Sequence, residues 1–178
     1  ELKSAIARAA ALSELEDIYR PFRPKRRTRA TIAREKGLAP LAEVLFAQEL
    51  RGADSSALAA DYVDEEKGVE TAEDALAGAS DIIAEEISDD AGVRKQLKEL
   101  FHRQARLVSV AAKDEDSVYG MYYDYAEPVG RLQSHRVLAV NRGEKEGFLK
   151  VSIELDEEAA LRTVKRLCVR PGSFSMAF

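Results

Sequence analysis

Residues 71–108 read TAEDALAGASDIIAEEISDDAGVRKQLKELFHRQARLV, and this stretch carries the clearest structural signal in the chain. Its apolar side chains recur every three or four positions, which is the period of an amphipathic helix and not of a strand. Thr71 with Asp74 forms a capping-box pattern, so we expect a helix to begin there and to end near Asp89. A second helix is predicted over residues 93–108. We expect the two helices to pack as a hairpin.

Helical signals continue on the N-terminal side of this stretch. Ser13 followed by Glu16 predicts another capping box. Residues 28–36 favour a short helix closed by Gly37, because glycine adopts the left-handed C-terminal conformation at little cost. A further helix is predicted over residues 40–52. Two short helices joined around Gly37 would form a helix-turn-helix-like unit.

On the C-terminal side the pattern is more mixed. Residues 114–127 hold many acids and tyrosines and predict a short helix or a turn. Ser134 is the expected N-cap of a following helix, although the alternation there also fits one arm of a hairpin. Residues 148–155 alternate between apolar and polar side chains, which predicts a strand. Asp156 is expected to cap a last helix.

These signals define the fold class and the organisation of the 178 residues. We predict a mainly α, multihelical protein with a helix-turn-helix-like unit and at most one small β element near 148–155. The expected parts are a basic helical part at 1–52, a helical hairpin at 53–113 and a helical part with a short strand at 114–178. The ends of the chain lead us to expect a piece of a longer protein.

The net charge of −5 conceals strongly segregated blocks. Residues 20–36 carry eight basic residues against one acid, whereas residues 43–90 carry fifteen acids against two basic residues. Residues 91–113 are basic again. A pI near 5.3 excludes the class of strongly basic proteins that bind nucleic acid over their whole surface. Any phosphate contact must therefore be local.

The basic run RPFRPKRRTRA, residues 20–30, is the strongest local feature. Several cationic side chains near a helix N-terminus can each neutralise a phosphate and release counterions. The candidate nucleic-acid-binding residues are Arg23, Lys25, Arg26, Arg27 and Arg29. The alternative is that these side chains pair with the acidic block at 43–90 and brace helices, or dock a protein, without touching nucleic acid. The sequence leaves both readings open.

Catalytic and metal-binding patterns are weak. His102 and His135 do not stand beside a nucleophile and an acid in the sequence, so we interpret them as structural or surface residues. The acids of 114–127 lack the spacing of a calcium loop, and the tyrosines among them favour packing roles over base stacking. We therefore predict a protein that is not an enzyme and that has no metal site and no cofactor.

The expected compartment is the cytoplasm. The single cysteine, Cys168, cannot form an intrachain disulfide. No apolar run approaches the roughly 20 residues that a membrane-spanning helix needs, so we expect no membrane partner.

Three stretches resemble one family in the same order along the chain. They are LEDIYRPFRPKRRTRATIAREKGLAPLA at 15–42, ASDIIAEEISDDAGVR at 79–94 and YYDYAEPVGRLQSHRVLAVNRGEKEGFLKV at 122–151. Together they resemble the Tex family of bacterial transcription accessory proteins. The resemblance covers nearly the whole chain.

The resemblance implies a mostly helical N-terminal region of a protein several times longer. In that family the region is followed by an RNase H-like domain, a helix-hairpin-helix unit and an OB-fold RNA-binding domain, and further helices precede the position of Glu1. The implied partners are RNA or DNA, bound mainly through those other domains, and RNA polymerase. The resemblance implies no catalytic motif within this stretch.

Overall fold

The computed structural model describes residues 2–22, 27–49 and 54–170. Within these ranges the chain is mainly α, with one small antiparallel sheet, as predicted. The helices are α1 (Leu2–Arg8), α2 (Leu12–Tyr19), α3 (Arg29–Glu35), α4 (Ala39–Ala47), α5 (Ser55–Ala60), α6 (Ala72–Asp89), α7 (Ala91–Gln104), α8 (Ser134–Lys145) and α9 (Glu157–Cys168). The strands are β1 (Arg106–Ala111), β2 (Asp124–Pro128) and β3 (Leu149–Glu154).

The chain divides into two compact units. The first, the helical unit, comprises Glu1–Arg94 together with Val164–Phe178, and the second, the sheet unit, comprises Lys95–Thr163. The helical unit is therefore built from two stretches of sequence, and the sheet unit is inserted between them.

The long helix α6 is the centre of the helical unit, because α3, α4 and α5 all pack against it. Small residues on α6 allow this close packing. A Cβ atom added at Gly78 would lie 2.4 Å from Cδ1 of Leu38, which is itself buried. The core of this unit contains Ala30, Ala33, Leu38, Leu41, Ala42, Leu45, Ala59, Val69, Ala75, Ala79 and Ile82. The hairpin of α6 with α7 stays a prediction.

Helix ends test the capping predictions directly. At α6 the Thr71 hydroxyl accepts from the Asp74 amide at 3.1 Å and the Asp74 carboxylate accepts from the Thr71 amide at 3.1 Å, so this capping box is confirmed. The capping box predicted at Ser13 is wrong, because α2 begins at Leu12 and its N-cap is Ala11, two residues before Ser13. There the Glu14 carboxylate accepts from the Ala10 amide at 2.8 Å instead.

Two further helix boundaries agree with the sequence. Gly37 has a φ of +86°, the left-handed conformation expected between α3 and α4. Asp156 accepts from the Glu158 amide at 3.1 Å and so caps α9. The prediction that Ser134 is an N-cap is wrong. Ser134 is the first residue of α8, and Gln133 occupies the N-cap position. The structure nevertheless favours the helix over the hairpin arm at this position.

The small sheet confirms one predicted strand and contradicts one predicted helix end. The strand predicted at 148–155 is confirmed as β3, and its partner is β1, which also pairs with β2 in the order β2-β1-β3. Residues 106–108 were predicted as the end of a helix, but α7 ends at Gln104 and β1 follows. In the segment 114–127 a short 3-10 turn at Gly120–Tyr122 precedes β2.

The core of the sheet unit lies between α8 and the sheet. Val140 of α8 and Leu149 of β3 are buried there with Leu107, Tyr119 and Tyr122. In the described part of the chain, no helix has both the length and the apolar character needed to cross a membrane.

Candidate functional site

Arginines of the basic run and of α3 contact one face of α6. Arg20 pairs with Asp89 at 2.9 Å, Arg34 with Glu85 at 2.6 Å, and Arg29 with Asp81 at 3.4 Å. The three carboxylates are spaced four residues apart, so they lie above one another on the helix. This row of Asp81, Glu85 and Asp89 is called the acidic row below.

Glu85 is a well-buried anchor of the acidic row, with 15% of its side chain exposed, close to the 11% of Asp89. One of its carboxylate oxygens accepts from the Thr28 hydroxyl at 2.9 Å and the other from Arg34 at 2.6 Å. The Thr28 hydroxyl also accepts from the Thr31 amide at 3.1 Å and thereby caps α3. The start of α3 is consequently fixed to the middle of the long helix by hydrogen bonds from two residues.

Of the five candidate nucleic-acid-binding residues, the structure places two. Arg27 pairs with Glu35 at 2.8 Å, and 69% of its side chain is exposed. Arg29 reaches Asp81 but keeps 85% of its side chain exposed. Arg23, Lys25 and Arg26 lie outside the described residues.

The two fixed ends of the basic run lie close together on α6. Arg20, the first residue of the run, is bound to Asp89, while Thr28, near its end, is bound to Glu85. These two acids are four residues apart, which corresponds to about 6 Å along a helix. The two described ends of the run are thus anchored one helical turn apart on α6.

The tyrosines and acids of 114–127 have structural contacts in the sheet unit. Tyr119 and Tyr122 are buried, as the packing interpretation predicted, and the rings of Tyr122 and Tyr125 meet edge to face with centroids 5.2 Å apart. Glu127 accepts from the Tyr125 hydroxyl, and from Arg136 at 2.7 Å. Among the described residues, no group of three or more His, Cys, Asp or Glu side chains is placed to hold a metal ion.

These hydrogen bonds determine the direction of two pKa shifts. The hydrogen bond from Tyr125, followed by that from Arg136, lowers the pKa of Glu127. Burial, followed by the bond to Glu127, raises the pKa of Tyr125. Both effects favour the charged carboxylate beside the neutral phenol.

Sequence reasoning identified the acidic block but not the acidic row within it. The signal that could have found the row is the spacing of Asp81, Glu85 and Asp89 at i, i+4 and i+8 on a helix with an apolar opposite face. The sequence could not indicate which arginines of the basic run face these acids, because those contacts join residues 51 to 69 positions apart.

Comparisons with known proteins connect this architecture to one family. Residues 51–171 match the family model described as Tex central region-like. The chain is 48% identical to the protein named Uncharacterized protein YdcI of Bacillus subtilis, covering 86% of this chain and 22% of that protein. It is 39% identical to Protein tex of Bordetella pertussis, covering 98% of this chain and 22% of that protein.

A third relative carries a functional name. The chain is 38% identical to the Transcriptional accessory protein Tex of Neisseria gonorrhoeae, covering 86% of this chain and 20% of that protein. The chain thus spans about a fifth of the length of the curated relatives that it matches. The sequence led us to expect the N-terminal region, whereas the family model names this stretch the central region. The match of that model to most of the chain, with relatives of this identity, shows that the chain belongs to the Tex family.

Proposed function

We propose that this chain is a non-enzymatic scaffold region of a cytoplasmic transcription accessory factor, and that it adds a sequence-independent contact to the phosphate backbone of RNA or DNA. The contact residues are Arg23, Lys25, Arg26, Arg27 and Arg29. The name of the gonococcal relative supports the transcriptional role. RNA polymerase is the protein partner that fits such a role.

The observation that carries the proposal is the exposure of Arg27 and Arg29 on a segment that is fixed at both ends. Of their partners, Glu35 is 54% exposed and Asp81 30%, and ion pairs of such exposed arginines contribute only about 0–1 kcal/mol. A phosphate can replace such a partner at little cost. Since contacts to phosphate carry no base information, we expect binding without sequence preference.

The contacts of the acidic row support two different roles for the arginines, anchoring for one pair and phosphate binding for the other. Arg34 and Arg20 are bound to the two best-buried carboxylates of the row and hold the segment in place. Arg27 and Arg29 keep most of their surface in water. The binding role therefore belongs to the second pair and to the charged residues between Arg20 and Arg27.

The test is fluorescence anisotropy of the chain with labelled single-stranded RNA and with duplex DNA over a salt series. Neutralising about four phosphates of a single strand gives a log–log salt slope of roughly −3. Replacing the five contact residues by Gln should weaken binding on all sequences alike and flatten that slope. The matched control replaces five exposed basic residues of other surfaces by Gln, namely Lys95, Arg131, Arg142, Lys145 and Lys150.

The two sets remove the same charge, so they separate a local contact from a general electrostatic effect. Equal losses in both sets, or an unchanged salt slope in the contact set, would exclude the assignment. Arg34→Gln serves as a third arm, because it should lower the melting temperature while leaving the salt slope as it is.

A second candidate function is a protein-docking and domain-bracing module that does not touch nucleic acid. The ion pairs of Arg20 and Arg34 with the acidic row favour it, because they use basic side chains of this segment for bracing. On this reading the five Gln substitutions abolish capture of RNA polymerase, or lower the melting temperature, and leave the affinity for RNA and DNA unchanged.

A further inference from the structure

Strand β3 lies at one edge of the sheet in the sheet unit, next to the central strand β1. The Ala112 amide donates to the Phe148 carbonyl at 2.9 Å, and this bond fixes the phase of the ladder between the two strands. Because hydrogen-bonded and non-hydrogen-bonded pairs alternate along an antiparallel ladder, the even-numbered residues of β3 bond to β1. The backbone N–H and C=O groups of Leu149, Val151 and Ile153 therefore point away from β1.

These outward backbone groups form a row that no other described residue pairs with. The sheet order β2-β1-β3 places no described strand beyond β3, and β3 pairs with β1 alone. The side chains along the row are also accessible, since Lys150, Ser152 and Glu154 are exposed on one face and Ile153 is 57% exposed on the other. An open edge of this kind is a template for a further strand.

The opposite edge of the sheet is protected against such pairing. The Ala111 amide donates to the Tyr123 carbonyl at 3.0 Å, so the backbone groups of Asp124, Ala126 and Pro128 point outward from β2. Proline has no N–H to donate, and a charged side chain on an edge strand also opposes pairing. The protection of β2 and the open row of β3 indicate that β3 is the edge that accepts a strand.

The sequence of β3 is complementary to itself in an antiparallel arrangement. Placing Ser152 opposite its own copy sets Lys150 opposite Glu154 on one face of the sheet and Val151 opposite Ile153 on the other. Cross-strand pairs of opposite charge and of β-branched side chains stabilise a sheet. A register centred on Val151 sets Lys150 opposite Ser152, and one centred on Lys150 sets two lysines opposite each other. Charge complementarity therefore selects the register centred on Ser152.

We propose that β3 is a dimerisation edge, at which two copies of this chain pair their β3 strands in antiparallel orientation about Ser152. The two sheets then form one continuous sheet in the order β2-β1-β3-β3-β1-β2. The occupant is a second copy because the symmetric register pairs both charges and both β-branched side chains of the strand at once. Each contact occurs twice across the two-fold axis. A contact confined to one pair of strands is small, so the association is weak and reversible.

Sedimentation equilibrium of the 178-residue chain over a concentration series, without nucleic acid, measures this association. We expect a reversible equilibrium between monomer and dimer. Lys150→Glu sets like charges opposite each other twice in the dimer and should weaken association by about tenfold. Adding Glu154→Lys exchanges the two charges in the same register and should restore it. Lys95→Glu, which reverses an exposed charge on α7, is the matched control and should leave association unchanged.

Disulfide crosslinking tests the register itself, in a Cys168→Ser background that removes the native thiol. Directly opposite residues of a non-hydrogen-bonded pair have Cα atoms about 4.5 Å apart, which suits a disulfide. Ser152→Cys should therefore form a linked dimer under mild oxidation. Lys150→Cys alone should not, because the two copies of residue 150 lie about 13 Å apart along the strand direction. A mixture of Lys150→Cys and Glu154→Cys chains should crosslink again.

Circular dichroism checks that each variant remains folded. Three results would overturn the proposal: a chain that stays monomeric at every concentration, association that the charge exchange does not restore, or Lys150→Cys crosslinking as readily as Ser152→Cys. Since none of these measurements includes nucleic acid, their outcome is independent of the phosphate contact proposed for the basic run.

Discussion

The carboxylate of Glu127 shows how one residue makes the stability of the sheet unit depend on pH. Tyr125 and Arg136 both donate to it, and these bonds hold its pKa below the ordinary value of 4.5. A lowered pKa means that its stabilising effect is present above the unfolded pKa and is lost as the pH falls through the folded value. We expect Glu127→Gln to lower the melting temperature near pH 7 and to reduce its further decline below pH 4.5.

The measurement is a set of thermal melts of the chain and the variant between about pH 3 and pH 7. Tyr125→Phe is the informative companion, because it removes the first of the two donors while Arg136 remains. The decline of its melting temperature with falling pH should lie between that of the unmodified chain and that of Glu127→Gln. If the melting temperature of Glu127→Gln changed with pH in parallel with that of the unmodified chain, the Glu127 carboxylate would have the same pKa in the folded and unfolded states.

Individual residues also mark the limit of the sequence analysis at the site. The basic run was visible as composition, but Arg34 and Arg29 differ in role because one meets a carboxylate with 15% exposure and the other keeps 85% of its own side chain in water. That difference depends on which face of α3 packs against α6. Periodicity indicates which residues face inward, but it does not identify the long-range partner.

At the scale of helices and strands, the two predicted capping boxes make a matched pair. Thr71→Ala removes a cap whose two reciprocal hydrogen bonds are present, so we expect a loss of about 1 kcal/mol. For a unit of this size that is a drop in melting temperature of about 4 °C. Ser13→Ala lies inside α2 and should change stability by no more than about 0.5 kcal/mol.

Chemical denaturation of both variants checks this contrast. The midpoint should fall for Thr71→Ala with little change in the slope, which reports the surface exposed on unfolding. A larger loss for Ser13→Ala than for Thr71→Ala would mean that α2 begins at Ser13 and that the sequence pattern was right there.

Helices were more predictable than strands for a physical reason. A helix satisfies its backbone locally, so the Thr71 cap, the period of α6 and the Gly37 terminus are all encoded within a few residues. Strands β1 and β2 depend on each other across the sheet, with Val108 opposite Ala126 and Ser109 opposite Tyr125. Only β3 shows a clean alternation, and it alone was predicted.

At the scale of the whole molecule, the insertion of the sheet unit into the helical unit could not be anticipated from composition. The predicted boundaries at 52 and 113 follow changes in charge and pattern along the chain. The compact units instead follow contacts, which return the last residues of α9 to the side of α4 through Gln48. Nothing local in α9 indicates this contact, since Gln48 and Cys168 are 120 positions apart.

This organisation predicts separate responses of the two units to loss of the chain end. Truncation after Thr163 removes Cys168 and Arg170, two hydrogen-bond partners of Gln48, a residue held at a φ of 55° in the left-handed region that costs most side chains free energy. Without those hydrogen bonds we expect faster hydrogen exchange of the amides of α4, while the amides of β1 and β3 keep their protection. Gln48→Gly relieves the backbone strain but also removes the bonds, so it should fall between the truncated and the intact chain. Equal acceleration in both units would mean that they unfold together, because a shared cooperative transition transmits the loss to every protected amide.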